Sequence, residues 1–344
     1  MTTTIHFWSA ESLYEKLKSI DVDNPLCQYT LKRCERLTPQ INKILQLKEE
    51  KNAIILAHSY VHPDILYGIA DHVGDSYGLS LQAIQTNSST IVFPAVRFMA
   101  ETAKILNPEK LIIDPNPNGG CSLSDSITAD EVLKLKEQYP KHAFFCYINT
   151  TAAVKAACDV CVTSSNVYKI VENYPSDKIF FLPDKLMGLN IRAHLQERGI
   201  QKQVLIYDGT CYVHEQFTPN QVDFIKESKP NTVVLAHPEC KPDVLKKADY
   251  VGSTSMLANY VEKHANIKNH FLLLTECGLT SRLQIEVPQA KMAGTCMLCK
   301  YMKSNSLEEI ARAMENPTPL DIVEIDEETR LQAKKSLDAM FQFS

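Results

Sequence analysis

Residues 53–60 read AIILAHSY, an apolar run that ends on His58, Ser59 and Tyr60. The same design returns as AFFCYIN at 143–149, ending on Tyr147 and Asn149, and as TVVLAHPE at 232–239, ending on His237 and Glu239. Short continuous apolar runs closed by polar residues are the mark of strands buried on both faces, as parallel sheets require. A hydroxyl-rich turn follows each run: Gly74-Asp75-Ser76, Thr163-Ser164-Ser165-Asn166 and Gly252-Ser253-Thr254-Ser255. Ser76, Ser164 and Ser253 fall 18, 17 and 16 residues after His58, Tyr147 and His237. A third apolar run comes next in each copy, IVFPAV, IFFLPD and FLLLTE. A last segment then leads into a cysteine loop, LIIDPNPNGGC, VLIYDGTC and the weaker QAKMAGTCMLC. The pattern predicts an α/β chain made of three similar units with parallel sheets.

The closing cysteines, Cys121, Cys211 and Cys299, stand 90 and 88 residues apart. Three units around a pseudo-threefold axis would bring three thiolates to one point. Three thiolates on a 4Fe-4S cluster leave one iron without a protein ligand and open to substrate. The glycines agree with this placement. There are 11 in 344 residues, under half the usual share of about 7%, and Gly74, Gly119, Gly120, Gly209, Gly252, Gly278 and Gly294 all fall in the strand-end loops.

A chain of 344 residues with 44% hydrophobic content can bury a substantial core. Net charge is −5, and no block of Lys and Arg marks a nucleic-acid footprint. No apolar run reaches the roughly 18–20 residues that span a bilayer, and the start lacks the pattern of a secretion signal, so a soluble cytoplasmic protein is expected. Eleven cysteines without such a signal argue for reduced thiols and metal work over a disulfide framework. Cys27, Cys34, Cys146, Cys240 and Cys277 lie in apolar or helical contexts and read as small hydrophobes. Two C-x-x-C pairs, Cys158/Cys161 and Cys296/Cys299, are too far apart for one zinc ribbon, but a Cys296–Cys299 disulfide would remove a cluster ligand. Residues 1–48 read as amphipathic helices. The units are bounded at 49–125, 126–212 and 213–298, and 299–344 carries the last cluster ligand and helices expected to pack on the first unit. One of these opens on the capping-box pair Ser306 and Glu309.

The strand ends hold groups suited to proton transfer at neutral pH: His58 and Tyr60 in one copy, His237 and Glu239 in another. Glu239 is the first choice of general base, because burial and a nearby metal tune a carboxylate in opposite directions. His214, three residues after Cys211, would sit one helical turn from a cluster ligand and contact substrate. Ser76, Ser164, Ser253 and Thr254 would offer hydroxyls and free N–H groups at helix starts to a phosphate or carboxylate, or act as plain caps.

These residues carry a resemblance. HSYVHPDILYGIADHVGDS, FMAETAKILNP with GGCSLSDS, YINTTAAVKA, CVTSSN, DGTCYVHEQF, AHPEC, GSTS, TECG and CMLCKYMK occur in an order similar to that of the quinolinate synthase family, across most of residues 50–305. Ser59, Val61 and Lys300 depart from its usual residues. The resemblance implies three αβα domains in pseudo-threefold arrangement, with a 4Fe-4S cluster at their central junction on Cys121, Cys211 and Cys299. It implies catalytic roles for Glu239, Tyr60, His237 and His214, and substrate contacts from His58, Ser76, Tyr147, Asn149, Ser164, Ser253 and Thr254. The implied reaction condenses iminoaspartate with dihydroxyacetone phosphate to quinolinate, phosphate and water, the iron acting as Lewis acid. An iminoaspartate-producing enzyme would be a functional partner. Two alternatives stay open: a reductase of the hydroxymethylbutenyl diphosphate type with a similar open-site cluster, and a non-enzymatic iron–sulfur redox sensor.

Overall fold

The computed structural model describes residues 6–22, 25–265, 270–294 and 296–344. Among the described residues, twelve strands form three parallel four-stranded sheets. The first contains β1 (Ala53–His58), β2 (His72–Gly74), β3 (Thr90–Val92) and β4 (Leu111–Ile113). The second contains β5 (Ala143–Tyr147), β6 (Val160–Val162), β7 (Lys178–Leu182) and β8 (Gln203–Ile206). The third contains β9 (Thr232–Ala236), β10 (Tyr250–Val251), β11 (His270–Leu274) and β12 (Lys291–Ala293). All three have one strand order: the second strand lies outside the first, followed by the third and fourth on the other side. The weak apolar segment of the last copy does form its strand, with Phe271 opposite Met292. Among the described residues, no helix is long and apolar enough to cross a membrane.

The threefold likeness extends to single hydrogen bonds. Asp71, Asp159 and Asp249, spaced 88 and 90 residues apart, each precede the outer strand of their sheet. Their carboxylates accept the N–H of Ile55, Phe144 and Val234 at 2.8, 2.7 and 2.8 Å. Each aspartate also donates its own N–H to the carbonyl of that same residue. A two-point clasp of this kind satisfies strand groups that the short outer strands leave unpaired.

The first strand of each sheet is central and carries the apolar runs read from sequence; Ile55, Leu56, Phe144, Phe145, Val234 and Leu235 are buried. Helices cover both faces. The helix Leu31–Glu50 turns Ile41, Ile44 and Leu47 inward, and the helix Ala10–Leu17 packs on it. The helix Leu307–Glu315 is capped by Ser306, whose hydroxyl accepts the Glu309 N–H at 3.2 Å. It lies against Leu31–Glu50. The last helix, Glu327–Phe343, lies chiefly along the helix Ala152–Ala156 and β6, touching the helix Arg97–Leu106 of the first unit as well. Ile322 forms an antiparallel bridge with Ile113 at the edge of the first sheet.

One reading from sequence is corrected. Cys277 is not a free apolar filler, and Cys296 does not pair with Cys299. Cys277 and Cys296 form a disulfide, and Cys299 is free. The turn after β11 passes beside the chain after β12, where the Cys277 N–H donates to the Met297 carbonyl at 3.0 Å. Sequence distance hid this neighbourhood.

Candidate functional site

Parallel strands point the same way, so the carboxyl ends of each sheet deliver one set of loops. A cavity is lined by such loops from all three sheets. The central strands supply His58, Tyr60, Tyr147, Asn149, His237 and Glu239; the outer strands supply Ser76, Ser164 and Thr254; the cysteine loops supply Cys121, Cys211, His214 and Cys299. Of the residues singled out from sequence, Ser253 alone does not line it. Ser253 is buried as the cap of the helix Thr254–His264, and its hydroxyl donates to Asp75 at 3.2 Å.

Two loops repeat one local geometry. His58 Nδ1 accepts the Tyr60 N–H at 3.2 Å, and His237 Nδ1 accepts the Glu239 N–H at 3.4 Å. This fixes each ring and leaves Nε2 as the protonated nitrogen. Burial lowers His58 to about 4 and His237 to about 3, so both rings are neutral at pH 7.

Glu239 is the hub. Tyr147 donates its phenol to Oε1 at 2.7 Å, and His214 Nδ1 meets Oε2 at 3.1 Å. Burial opposes its ionisation, but the His214 and His237 imidazoles and the Tyr147 phenol outweigh that and bring it down to about 2. Tyr147 moves the other way, raised by burial and by the carboxylate beside it. From His214 the contacts continue: Nε2 to Thr275 Oγ1 at 3.0 Å, Thr275 to the Tyr60 hydroxyl at 2.5 Å, and Tyr60 to Thr254 at 2.8 Å. A line of exchangeable protons thus runs from Glu239 to Thr254.

The cysteine loops are laced together. Ser122 donates to the Thr210 carbonyl at 3.2 Å and accepts the Tyr212 N–H at 3.4 Å. The Tyr212 hydroxyl donates to the Leu298 carbonyl at 3.2 Å and accepts the Lys300 N–H at 2.5 Å, gripping both sides of Cys299. Cys211 and Cys299 each cap a short helix, Tyr212–Glu215 and Lys300–Lys303. Burial pushes Cys121 up to about 12 and raises Cys211 and Cys299 as well. Backbone N–H groups work against this at every sulfur: Ser124 and Leu123 at Cys121, His214 at Cys211, Met302 and Tyr301 at Cys299. Three half-buried thiols, each cradled by N–H donors that favour the thiolate, form a soft donor set that a cationic iron–sulfur centre fits. Cys211, His214 and Glu239 also place ligand atoms within 4.8 Å of one another.

Sequence reasoning missed several supports. Asp75 caps the helix Ser76–Gln85 through the Gly78 N–H at 2.9 Å and accepts the hydroxyls of Ser165 and Ser253, both at 3.2 Å. Glu276, at the cavity wall, is buried, pairs with Lys303 at 3.2 Å, and accepts the Cys299 N–H at 3.3 Å. Asn190 donates to the carbonyls of Pro238 and Cys240, both at 2.8 Å, so it holds the backbone on either side of Glu239. Asp75, Glu276 and Lys303 stood in quoted stretches without a role drawn from them; nothing in the sequence pattern pointed to Asn190.

The family model described as Quinolinate synthetase A protein matches residues 42–342. Quinolinate synthase 2 of Mesorhizobium japonicum is 40% identical over 300 residues, covering 85% of this chain and 90% of the relative. Quinolinate synthase of Sinorhizobium fredii is 39% identical over 328 residues, covering 95% and 87%. Quinolinate synthase of Trichodesmium erythraeum is 41% identical over 309 residues, covering 88% and 93%. With a matching model over most of its length and relatives near 40% identity along nearly their whole chains, this protein belongs to the quinolinate synthase family of enzymes.

Proposed function

We propose that the protein condenses iminoaspartate with dihydroxyacetone phosphate to give quinolinate, phosphate and water, at a 4Fe-4S cluster held by Cys121, Cys211 and Cys299. The observation that carries this reading is the convergence of three equally spaced cysteines and the Glu239, His214, Tyr147 and Tyr60 set on one cavity. When bound, a cluster with one iron free of protein ligands supplies a Lewis acid for a departing oxygen.

The remaining chemistry falls to the chain. Glu239, ionised at neutral pH, takes a proton from the carbon next to the leaving group. His214, Thr275 and Tyr60 carry it along the line of hydrogen bonds. Neutral His58 and His237 offer Nε2–H to oxygens of the substrate. Ser76 and Thr254, the first residues of their helices, and Ser164, in the turn ahead of the helix Val167–Asn173, bind phosphate or carboxylate, while Asn149 and Tyr147 orient the carbon chain. Ser253 acts through Asp75 and the cap. The reading includes unit boundaries near residues 125, 212 and 298, a cytoplasmic setting, and supply of iminoaspartate by a partner enzyme.

The test is anaerobic purification with iron and sulfide reconstitution, followed by assay of quinolinate from the two substrates without an electron donor. Mössbauer spectra with and without quinolinate should show one iron of four responding to the product. Turnover that requires a reductant would favour the reductase alternative, and a cluster without turnover would favour a redox sensor.

A further inference from the structure

Lys155 is among the largest fully buried side chains of the protein. Its ammonium donates to the carbonyl of Ile148 at 2.8 Å and to that of Thr150. Those carbonyls flank Asn149, and both Ile148 and Asn149 line the cavity. Among the described residues no carboxylate forms an ion pair with Lys155, whereas the buried Lys303 has Glu276 at 3.2 Å. The Lys155 ammonium lies 5.5 Å from the ring centre of Phe98, itself a cavity residue. Removing an ammonium from water without a carboxylate partner costs several kcal/mol. A neutral side chain would fill this space at lower cost, so what distinguishes lysine here is its reach to two carbonyls at once.

The turn it holds needs holding. It leaves β5 directly after Tyr147, and apart from Lys155 it is fastened by the Ile148 N–H to the Val162 carbonyl at 2.8 Å and by the Thr150 N–H and hydroxyl to the Ile148 and Tyr147 carbonyls at 2.8 and 2.9 Å. None of these bonds involves the Asn149 backbone or side chain. We propose that Lys155 is a positioning residue of the site: by gripping the carbonyls on both sides of Asn149 it fixes the turn that presents Asn149 to the substrate. Resting on the functional reading above, this adds a residue that touches no substrate and sets binding through another.

A double-mutant cycle tests it, using reconstituted full-length protein and steady-state quinolinate formation. Lys155→Met should raise KM at least about tenfold with kcat changed less than about threefold, the pattern of lost uniform binding. Asn149→Ala should raise KM to a similar degree. The double variant should then be no worse than Asn149→Ala alone, because the two residues act as one unit. Effects on KM that multiply, or a folded Lys155→Met with unchanged KM, would overturn the proposal. Should Lys155→Met fail to melt cooperatively, Lys155→Gln, whose uncharged amide sits on a shorter stem, is judged by the same criteria. Parent protein that forms no quinolinate would instead defeat the functional reading, so the two failures are distinct.

Discussion

Replacing Glu239 with Gln removes a charge and a base while keeping the shape. The carboxylate is buried, with Tyr147 at 2.7 Å, His214 at 3.1 Å and His237 Nδ1 at 3.5 Å. The amide retains an oxygen for the Tyr147 phenol. Its NH2 can face His214 Nδ1, because Nε2 of that ring is already engaged by Thr275. What is lost is the charge on two hydrogen bonds. Charge-assisted bonds contribute about 1.5–3 kcal/mol against about 0.5–1.5 for neutral ones, so the fold should weaken by about 2–3 kcal/mol. A cooperative melt survives that. A typical general-base contribution is about 10²–10⁴-fold, or about 3–5 kcal/mol of barrier. Anaerobic Glu239→Gln protein should therefore carry the parent's iron per chain, melt cooperatively a few degrees lower, and form quinolinate at least about a hundredfold more slowly. A smaller loss with a shifted pH profile would assign the base jointly to Glu239, His237 and Tyr60. Unchanged turnover would remove Glu239 from the chemistry.

Single Cys→Ser variants at 121, 211 and 299 should lose nearly all cluster iron, while variants at 158, 161 and 277 keep it; normal iron in Cys121→Ser would defeat the ligand assignment. Air should bleach the brown protein and abolish activity, with recovery on anaerobic reconstitution, and full activity in iron-free protein would sink the mechanism. Acid should destabilise the fold early. Above pH 6.5 His58 and His237 are neutral both folded and unfolded; below it the unfolded chain takes up protons that the folded chain refuses until about 4 and 3. Two such groups give a slope of about 2.7 kcal/mol per pH unit between roughly pH 6 and 4. Glu239, depressed to about 2, adds to the loss only below its unfolded value near 4.5. Melting temperature measured from pH 7 to 4 should fall steadily, and a flat profile would contradict the burial of both rings.

The strands and the loops that bear the site were legible because both signals are local. Parallel strands need unbroken apolar runs, and the polar residue that ends each run must sit at the carboxyl edge. His58, Tyr147 and His237 could be found that way, as could the cysteines by spacing. Residues whose meaning lies in a distant partner could not. Asn190 reaches carbonyls 48 and 50 residues away, and Lys303 meets Glu276 across 27 positions. The Cys277–Cys296 bond joins two loops that neighbour only after the third sheet has formed. Ser253 shows the converse: its type and position suited ligand binding, but its hydroxyl is spent on Asp75 and the helix cap. The clasps of Asp71, Asp159 and Asp249 repeat as regularly as the cysteines and passed unnoticed, because an aspartate beside a strand has no chemistry that draws the eye.

The lacing of the three cysteine loops sets a clock on synthesis. Cys211 leaves the ribosome 88 residues before Cys299. At about 5–20 residues per second the nascent chain displays an incomplete pair of thiols for roughly 4–18 seconds. The phenol of Tyr212 has nothing to grip until Leu298 and Lys300 have also emerged. A chain halted just before residue 299 would thus already contain every strand of the three sheets, yet only two of the three thiols. The three thiols can be brought together only after residue 299 has been made.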